Sequence, residues 1–215
     1  VGAQSITVGE DGIVRCKGVE VGFTEEVNGI TYEVVDRASL IEKRDAGADL
    51  TKVCVSNITN MNFLFENLDF NQEIGNWDVS SVTDMGWMFA GSTFNQDIRM
   101  WDVSSVTFNA YMFSQSDFNQ PIGQWDMSSV GNMWGMFANS QFNQDISDWD
   151  VSSVSFMNYL FSGGQNANGY TYHPFNQDIS NWDVSSVDEM EGMFAHSEFD
   201  QDISEWDVSG VHNME

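Results

Sequence analysis

Phe175-Asn176-Gln177-Asp178-Ile179-Ser180-Asn181-Trp182-Asp183-Val184-Ser185-Ser186-Val187 is one of six near-copies of a single phrase. The copies begin at Phe70, Phe94, Phe118, Phe142, Phe175 and Phe199, spaced 24 residues apart except for one step of 33 after Phe142. Units this short cannot bury their own apolar face, so a fixed period in this range predicts stacked coils. An earlier, degenerate coil starts near Asp49, because Val55–Met61 aligns with Val79–Met85. The expected organisation is a small α+β cap over residues 1–48, then about seven repeats over 49–215, with an insertion at 163–173 and the last repeat truncated.

Each repeat divides into two halves. Ile74, Trp77 and Val79 lie in a short β-favouring segment that reads as a strand. Val82, Met85, Met88 and Phe89 recur at helical spacing, with Ser81 as N-cap and Ala90-Gly91 as terminator. Ser81 with Asp84, and Ser186 with Glu189, fit a capping box. The expected fold is therefore an α/β solenoid, a right-handed stack of strand-plus-short-helix coils of leucine-rich-repeat type. In the cap, Asn28-Gly29 predicts a hairpin between Gly22–Val27 and Ile30–Val35. Asp36 would then cap a helix over Arg37–Ala46, stopped by Gly47.

The repeated phrase, followed by a segment ending in Met-Phe, resembles the BspA-like or DUF285 repeats of bacterial surface proteins. The likeness covers residues 49–215, and Asn28–Arg37 also resembles what precedes such repeats. It implies a leucine-rich-repeat-like fold and display at the extracellular bacterial cell surface. Asn109, Pro121, Asp200 and the insertion depart from the pattern.

Composition narrows the partners. The formal net charge is -26, from 33 acids against 7 bases. Beyond Lys52 only Arg99 is basic. Such a field repels nucleic acid and anionic lipid and favours cationic or neutral partners. No stretch approaches the roughly 18 to 20 apolar residues that span a membrane. The chain begins at Val1 and stops within a repeat at Glu215, which reads as a fragment of a longer protein. Cys16 and Cys54 are either two buried thiols or a disulfide joining the N-terminal segment to the first coil, which an exported protein permits.

Most repeated positions read as core. The Trp77, Phe70 and Ile74 columns suit an interior stack. The column Asn71, Asn95, Asn119, Asn143 and Asn176 suits an internal amide ladder that satisfies the turns. In the column Asp78, Asp102, Asp126, Asp150, Asp183 and Asp207, each carboxylate is expected to accept N–H bonds at a helix N-terminus. No cofactor is expected; calcium bridging of this column is the alternative. No nucleophile elbow, zinc-binding or phosphate-loop motif is present, and His173, His196 and His212 form no motif, so no enzyme is expected.

The variable positions point outward. Phe63, Trp87, Phe108, Tyr111, Trp134, Phe156 and Tyr159 fill successive outward slots with aromatic side chains. Arg99 and Met100, beside one of these coils, and Tyr170 and Tyr172 in the insertion extend the candidate ligand-binding set. The expected function is a non-enzymatic adhesion module for a protein, peptide or glycan. The alternative is a structural spacer that projects other domains.

Overall fold

The computed structural model describes residues 4–167 and 169–214. Strands β1 (Thr7–Val8) and β2 (Val14–Arg15) pair antiparallel. Strands β3 (Thr24–Val27) and β4 (Ile30–Val34) form a hairpin whose turn puts Asn28 at φ 54° and Gly29 at φ 81°. Two consecutive positive φ values are what a type I′ turn demands. Helix α1 (Arg37–Asp45) then carries the chain over to β5 (Val53–Cys54), which pairs parallel to β4. Asp36 caps α1 by accepting from the Ser39 N–H at 2.8 Å, and Ser39 Oγ in turn accepts from the Asp36 N–H at 3.1 Å. Leu40 is the fully buried anchor of this helix.

Several links bind this segment to the first repeat. Cys16 and Cys54 form a disulfide across 38 residues. The Cys16 N–H donates to Ser56 Oγ at 3.0 Å, and the Gly18 N–H donates to Asn57 Oδ1 at 2.8 Å. The Arg37 guanidinium donates to the Asn62 carbonyl at 2.8 Å.

The expected α/β solenoid of strand-plus-helix coils is not what the repeats build. Among the described residues α1 is the one α-helix, and the named strands form three small sheets outside the repeated phrase. Ile74–Asn76, expected in a strand, is a single 3-10 turn. The segment from Ser81 to Gly91, expected to be helical, is a run of turns. The reason lies in the backbone donors. N–H groups of Met85, Trp87, Phe89 and Gly91 point to the carbonyls of Phe108, Ala110, Met112 and Ser114 at 2.7–2.9 Å. An α-helix needs those donors for its own carbonyls four residues back. Trp87 at φ 54° and Gly91 at φ 65° also leave the right-handed helical region.

What the repeats do instead is register on one another. Isolated parallel bridges join Asn60, Asp84, Phe108, Asn132, Phe156, Glu189 and Asn213 in sequence. Inside, Trp77, Trp101, Trp125, Trp149, Trp182 and Trp206 are buried. The rings of Trp77 and Trp101 stack at 6.4 Å, as do those of Trp182 and Trp206. Every indole of this column donates to a carbonyl of the preceding unit, as Trp101 does to Ile74 at 3.2 Å, so no N–H of the column is orphaned. Two phenylalanine columns interleave beside it, with Phe89 4.1 Å from Phe94 in one unit and Phe94 6.1 Å from Phe118 in the next.

Polar columns hold the corners. Asn71 Oδ1 accepts from the Asn95 N–H at 2.9 Å, and the same bond recurs through Asn95, Asn119, Asn143 and Asn176. This amide ladder stands at the surface and is not internal; Asn71 is exposed and the others half-buried. The aspartates cap no helix. Asp150 Oδ1 accepts from the Ser152 N–H at 3.0 Å and its hydroxyl at 2.6 Å, closing a turn on itself. Asp126, Asp183 and Asp207 do the same, and a second column at Asp145, Asp178 and Asp202 repeats the motif.

Two predictions follow from these links. Cys54→Ser should destabilise the N-terminal half by about 4 kcal/mol in the chain-entropy account, read as an earlier urea transition. The serine and backbone donors hold the turn aspartates below the ordinary carboxylate range. A depressed folded pKa contributes stability that is complete above the unfolded value and lost as pH falls through the folded one. In about 0.5 M salt, where screening mutes charge repulsion, the Tm should be flat above about pH 5 and fall below about pH 4.

Candidate functional site

Six positions recurring three residues after the bridges all adopt positive φ. Phe63, Trp87, Tyr111 and Tyr159 lie at 54–56°, and Gly135 and Gly192 take the same slot at 57° and 56°. Each is the third residue of a turn closed by a bond such as Met88 N–H to the Met85 carbonyl at 3.1 Å. That position of a type II turn favours glycine. A bulky L residue there is an outlier that costs roughly 1–2 kcal/mol.

The aromatic occupants form a ridge. Phe63 stacks on Trp87 at 5.0 Å, and Trp87 stacks on Tyr111 at 5.1 Å. The Tyr111 ring then covers Gly135, and the Tyr159 ring covers Gly192. A Cβ on either glycine would come within 2.5 Å of the overlying ring. Burial pushes the Tyr111 hydroxyl above its usual range. Tyr159 is raised too, first by donating to the Glu191 carboxylate.

Four residues further on runs a second column of positive φ: Asn67, Gly91, Gln115, Asn139 and His196. Between the columns the chain presents Ala90, Ser114, Ala138 and Ser162. The result is a groove of about 470 Å³ along several repeats. Trp87, Tyr111 and Tyr159 form one wall, Asn67, Gln115 and Asn139 the other, and the small residues the floor, with Glu66 at one end and Gly163 at the other. A second hollow of about 510 Å³ is lined by Met193, Phe194, Trp206 and Met214. Its walls are the core columns themselves, so it is the stacking face of a repeat and carries no chemistry of its own.

The remaining candidate residues fall elsewhere. Phe108, Trp134 and Phe156 are half-buried and do not line the groove. Phe108 packs over Gly86, and Trp134 lies 6.5 Å from Tyr111 with its Nε1 buried and unpartnered. Arg99 pairs with Asp97 at 2.8 Å on a different corner. Met100, 53% exposed, borders a small cleft with Arg15, Asp78 and Asp102. Tyr170 and Tyr172 are exposed on the hairpin of β6 (Gly164–Asn166) and β7 (Gly169–Thr171), where Tyr170 stacks on His196 at 4.0 Å. Among the described residues no group of three or more His, Cys, Asp or Glu is placed to hold a metal ion. The amide wall and the small floor were missed from sequence; their signal is the 24-residue recurrence of Ala90, Ser114, Ala138 and Ser162.

Gly135→Ala should destabilise by about 2 kcal/mol or more, from the left-handed cost plus the clash with Tyr111. In Tyr111→Gly/Gly135→Ala the clash disappears. Urea melts of the two single variants and the double should therefore show positive coupling.

The family model described as "Mycoplasma protein of unknown function, DUF285" matches residues 36–141 and 114–215. No curated protein matches the chain, and no solved structure does. The chain belongs to the DUF285 family.

Proposed function

We propose that this DUF285 protein is a non-enzymatic ligand-binding module that works outside the cell. The observation that carries this reading is the ridge. Phe63, Trp87, Tyr111 and Tyr159 hold aromatic rings at backbone positions where glycine would be free of strain. Residues kept in sparsely populated φ regions concentrate where binding needs them. Because the rings stack along the repeats, their edges form an apolar wall beside a groove, a surface suited to an apolar peptide side chain or the apolar side of a glycan.

Other features support the setting. A disulfide buried between Cys16 and Cys54 persists in an oxidising compartment and not in a reducing one. No helix among the described residues is long and apolar enough to cross a membrane. The net charge of -26 disfavours nucleic acid and anionic surfaces as partners. We take the partner to be a protein, peptide or glycan on another cell or surface.

A spacer role is the competing reading, favoured by the way the ridge rings stack on each other. Stacking contributes about 0.5–1.5 kcal/mol per pair, close to the left-handed cost of about 1–2 kcal/mol. Partial burial of the rings adds to the stacking, so the ridge is a modest net gain for stability, and binding is the measurement that separates the two readings. Trp87→Gly and Tyr111→Gly remove a ring and release the strain together. Both should keep the Tm within a few degrees and lose binding on a combined glycan and peptide array run with calcium. A wild-type protein that binds nothing on the array would support the spacer.

A further inference from the structure

We infer that the side of the ridge away from the groove, which carries Phe108, Trp134 and Phe156, docks a protein whose contact patch is apolar at its centre and bordered by Lys and Arg. The inference rests on the ridge being a ligand-binding surface. It moves the main contact out of the groove and names the chemistry of the partner.

Aromatic side chains continue past the ridge on this side. Trp87 lies 6.0 Å from Phe108, and Tyr111 lies 6.5 Å from Trp134. Phe156 bridges to Asn132, two residues before Trp134. These five side chains are all half-buried, and Phe63 at the end of the row is 44% exposed. The stacking that closes the ring faces also fixes the rings in place. Little side-chain entropy is then left to lose when a partner covers their edges. A fixed row of ring edges suits a broad contact with another protein better than the seating of one flat ligand.

Charge identifies the area and its partner. Charged residues make up 19% of the chain, yet residues 103–116, 127–144 and 151–177 contain no Asp, Glu, Lys or Arg. Those three runs hold Phe108, Tyr111, Trp134, Phe156 and Tyr159. Depletion of charge together with enrichment in aromatics marks the core of a protein–protein contact. Within the area Asp84 is held by the Asn60 and Asn62 amides and by the Gly86 N–H. The borders are acidic. Exposed Asp102, Asp126, Asp150 and Asp183 each precede a bridge residue by six positions. Asp188, Glu189 and Glu191 close the far end. At the Phe63 end, the Arg37 and Arg44 guanidiniums donate to the Asn62 and Leu64 carbonyls and are committed to the first unit. A border of carboxylates around an uncharged centre is complementary to a border of Lys and Arg around an apolar one. A second copy of the chain would bring the same acidic border and a net charge of -26, so the partner is a different protein.

The bridge slot occupied by Phe108 and Phe156 holds Asn60, Asn132 and Asn213 in other units, so Phe108→Asn and Phe156→Asn keep the fold. Neither residue lines the groove. The test is calorimetric titration of the full chain, in about 0.15 M salt, with three synthetic helical peptides. The first has a Leu/Trp face bordered by Lys, the second has Glu for every Lys, and the third is Lys-rich with no apolar face. The first should bind and the second should not. Each Asn variant should weaken the first about tenfold or more, the scale of a central contact residue, with the Tm kept within a few degrees. Asp188→Asn/Glu189→Gln/Glu191→Gln should weaken it severalfold, by more in low salt. Failure of the first peptide to bind overturns the inference. So does binding that both Asn variants leave unchanged, or equal binding of the third peptide, since either is attraction to the acidic chain at large. An array ligand lost in Trp87→Gly and Tyr111→Gly but retained in both Asn variants overturns the inference and keeps the ridge and groove as the binding surface. An empty array with no peptide bound overturns the inference and the ridge reading together.

Discussion

In each repeat a run of alternate backbone N–H groups, such as those of Met85, Trp87, Phe89 and Gly91, is aimed at carbonyls of the next repeat, while Thr83, Thr107, Gly131 and Ser155 each donate to the repeat before. A chain that uses its donors between units cannot also use them within a helix. The intervening N–H groups therefore close tight turns, and those turns place two positive-φ residues in each unit except that of Tyr159, whose second slot is Gly163. From this one constraint come the absence of helix in the described repeats, the paired left-handed columns and the groove between them. The stacked Trp and Phe rings fill what the turns enclose, and each buried indole N–H finds a carbonyl one unit back.

The left-handed slots explain how the exposed face varies while the interior does not. Inward positions such as Val82 and Phe89 are locked by packing and stay apolar in every unit, and the Met85 position does so except where Asn109 takes it. The slot at Trp87 is set only by φ. Glycine satisfies it without strain, and an aromatic satisfies it if its ring finds a partner. The two choices are coupled along the stack: Tyr111 lies over Gly135 and Tyr159 over Gly192, because a side chain on either glycine would occupy the ring's place. An aromatic in one unit can thus require a glycine in the next, and the pattern of rings along the ridge is partly self-determined.

Much of the interior was legible in the sequence. The 24-residue period and the Trp and Phe columns could be read directly, because repeated identity at one position means repeated environment; the amide ladder was legible as a ladder, but it was placed inside and stands at the surface. The helix was misread for a physical reason. Successive three-residue turns place Val82, Met85 and Met88 on one side at intervals of three, which is nearly the spacing of a helical face. Apolar periodicity alone cannot separate the two. Positive φ at Trp87 was invisible because an aromatic gives no glycine signal. The groove was overlooked for a related reason: Ala90-Gly91 read as a helix terminator, when Ala90 belongs to a column with Ser114, Ala138 and Ser162. Arg99 and Met100 were grouped with the aromatics by unit, but a unit has several faces and these two lie on another.

The insertion after Gly163 shows how the stack accepts an appendage at the groove without loss of register. In ordinary units a corner serine accepts the N–H of the following phenylalanine, as Ser140 does from Phe142 at 3.3 Å. At the end of the insertion His173 takes over that role. Its Nδ1 accepts from the Phe175 N–H at 3.2 Å, while Nε2–H donates to the Phe137 carbonyl at 2.8 Å. Burial pushes this imidazole down to about 4, so it remains neutral at physiological pH, and both nitrogens remain matched to their partners. One residue type that can accept on one side and donate on the other re-seats the chain, and Phe175 resumes its stack on Phe142 at 6.4 Å. The extra residues are then released as a hairpin beside Asn139 and Gly163, at the end of the groove. An insertion that leaves the core column unbroken serves no packing need of the stack, which is why its exposed Tyr170 and Tyr172 are read with the groove and not with the core.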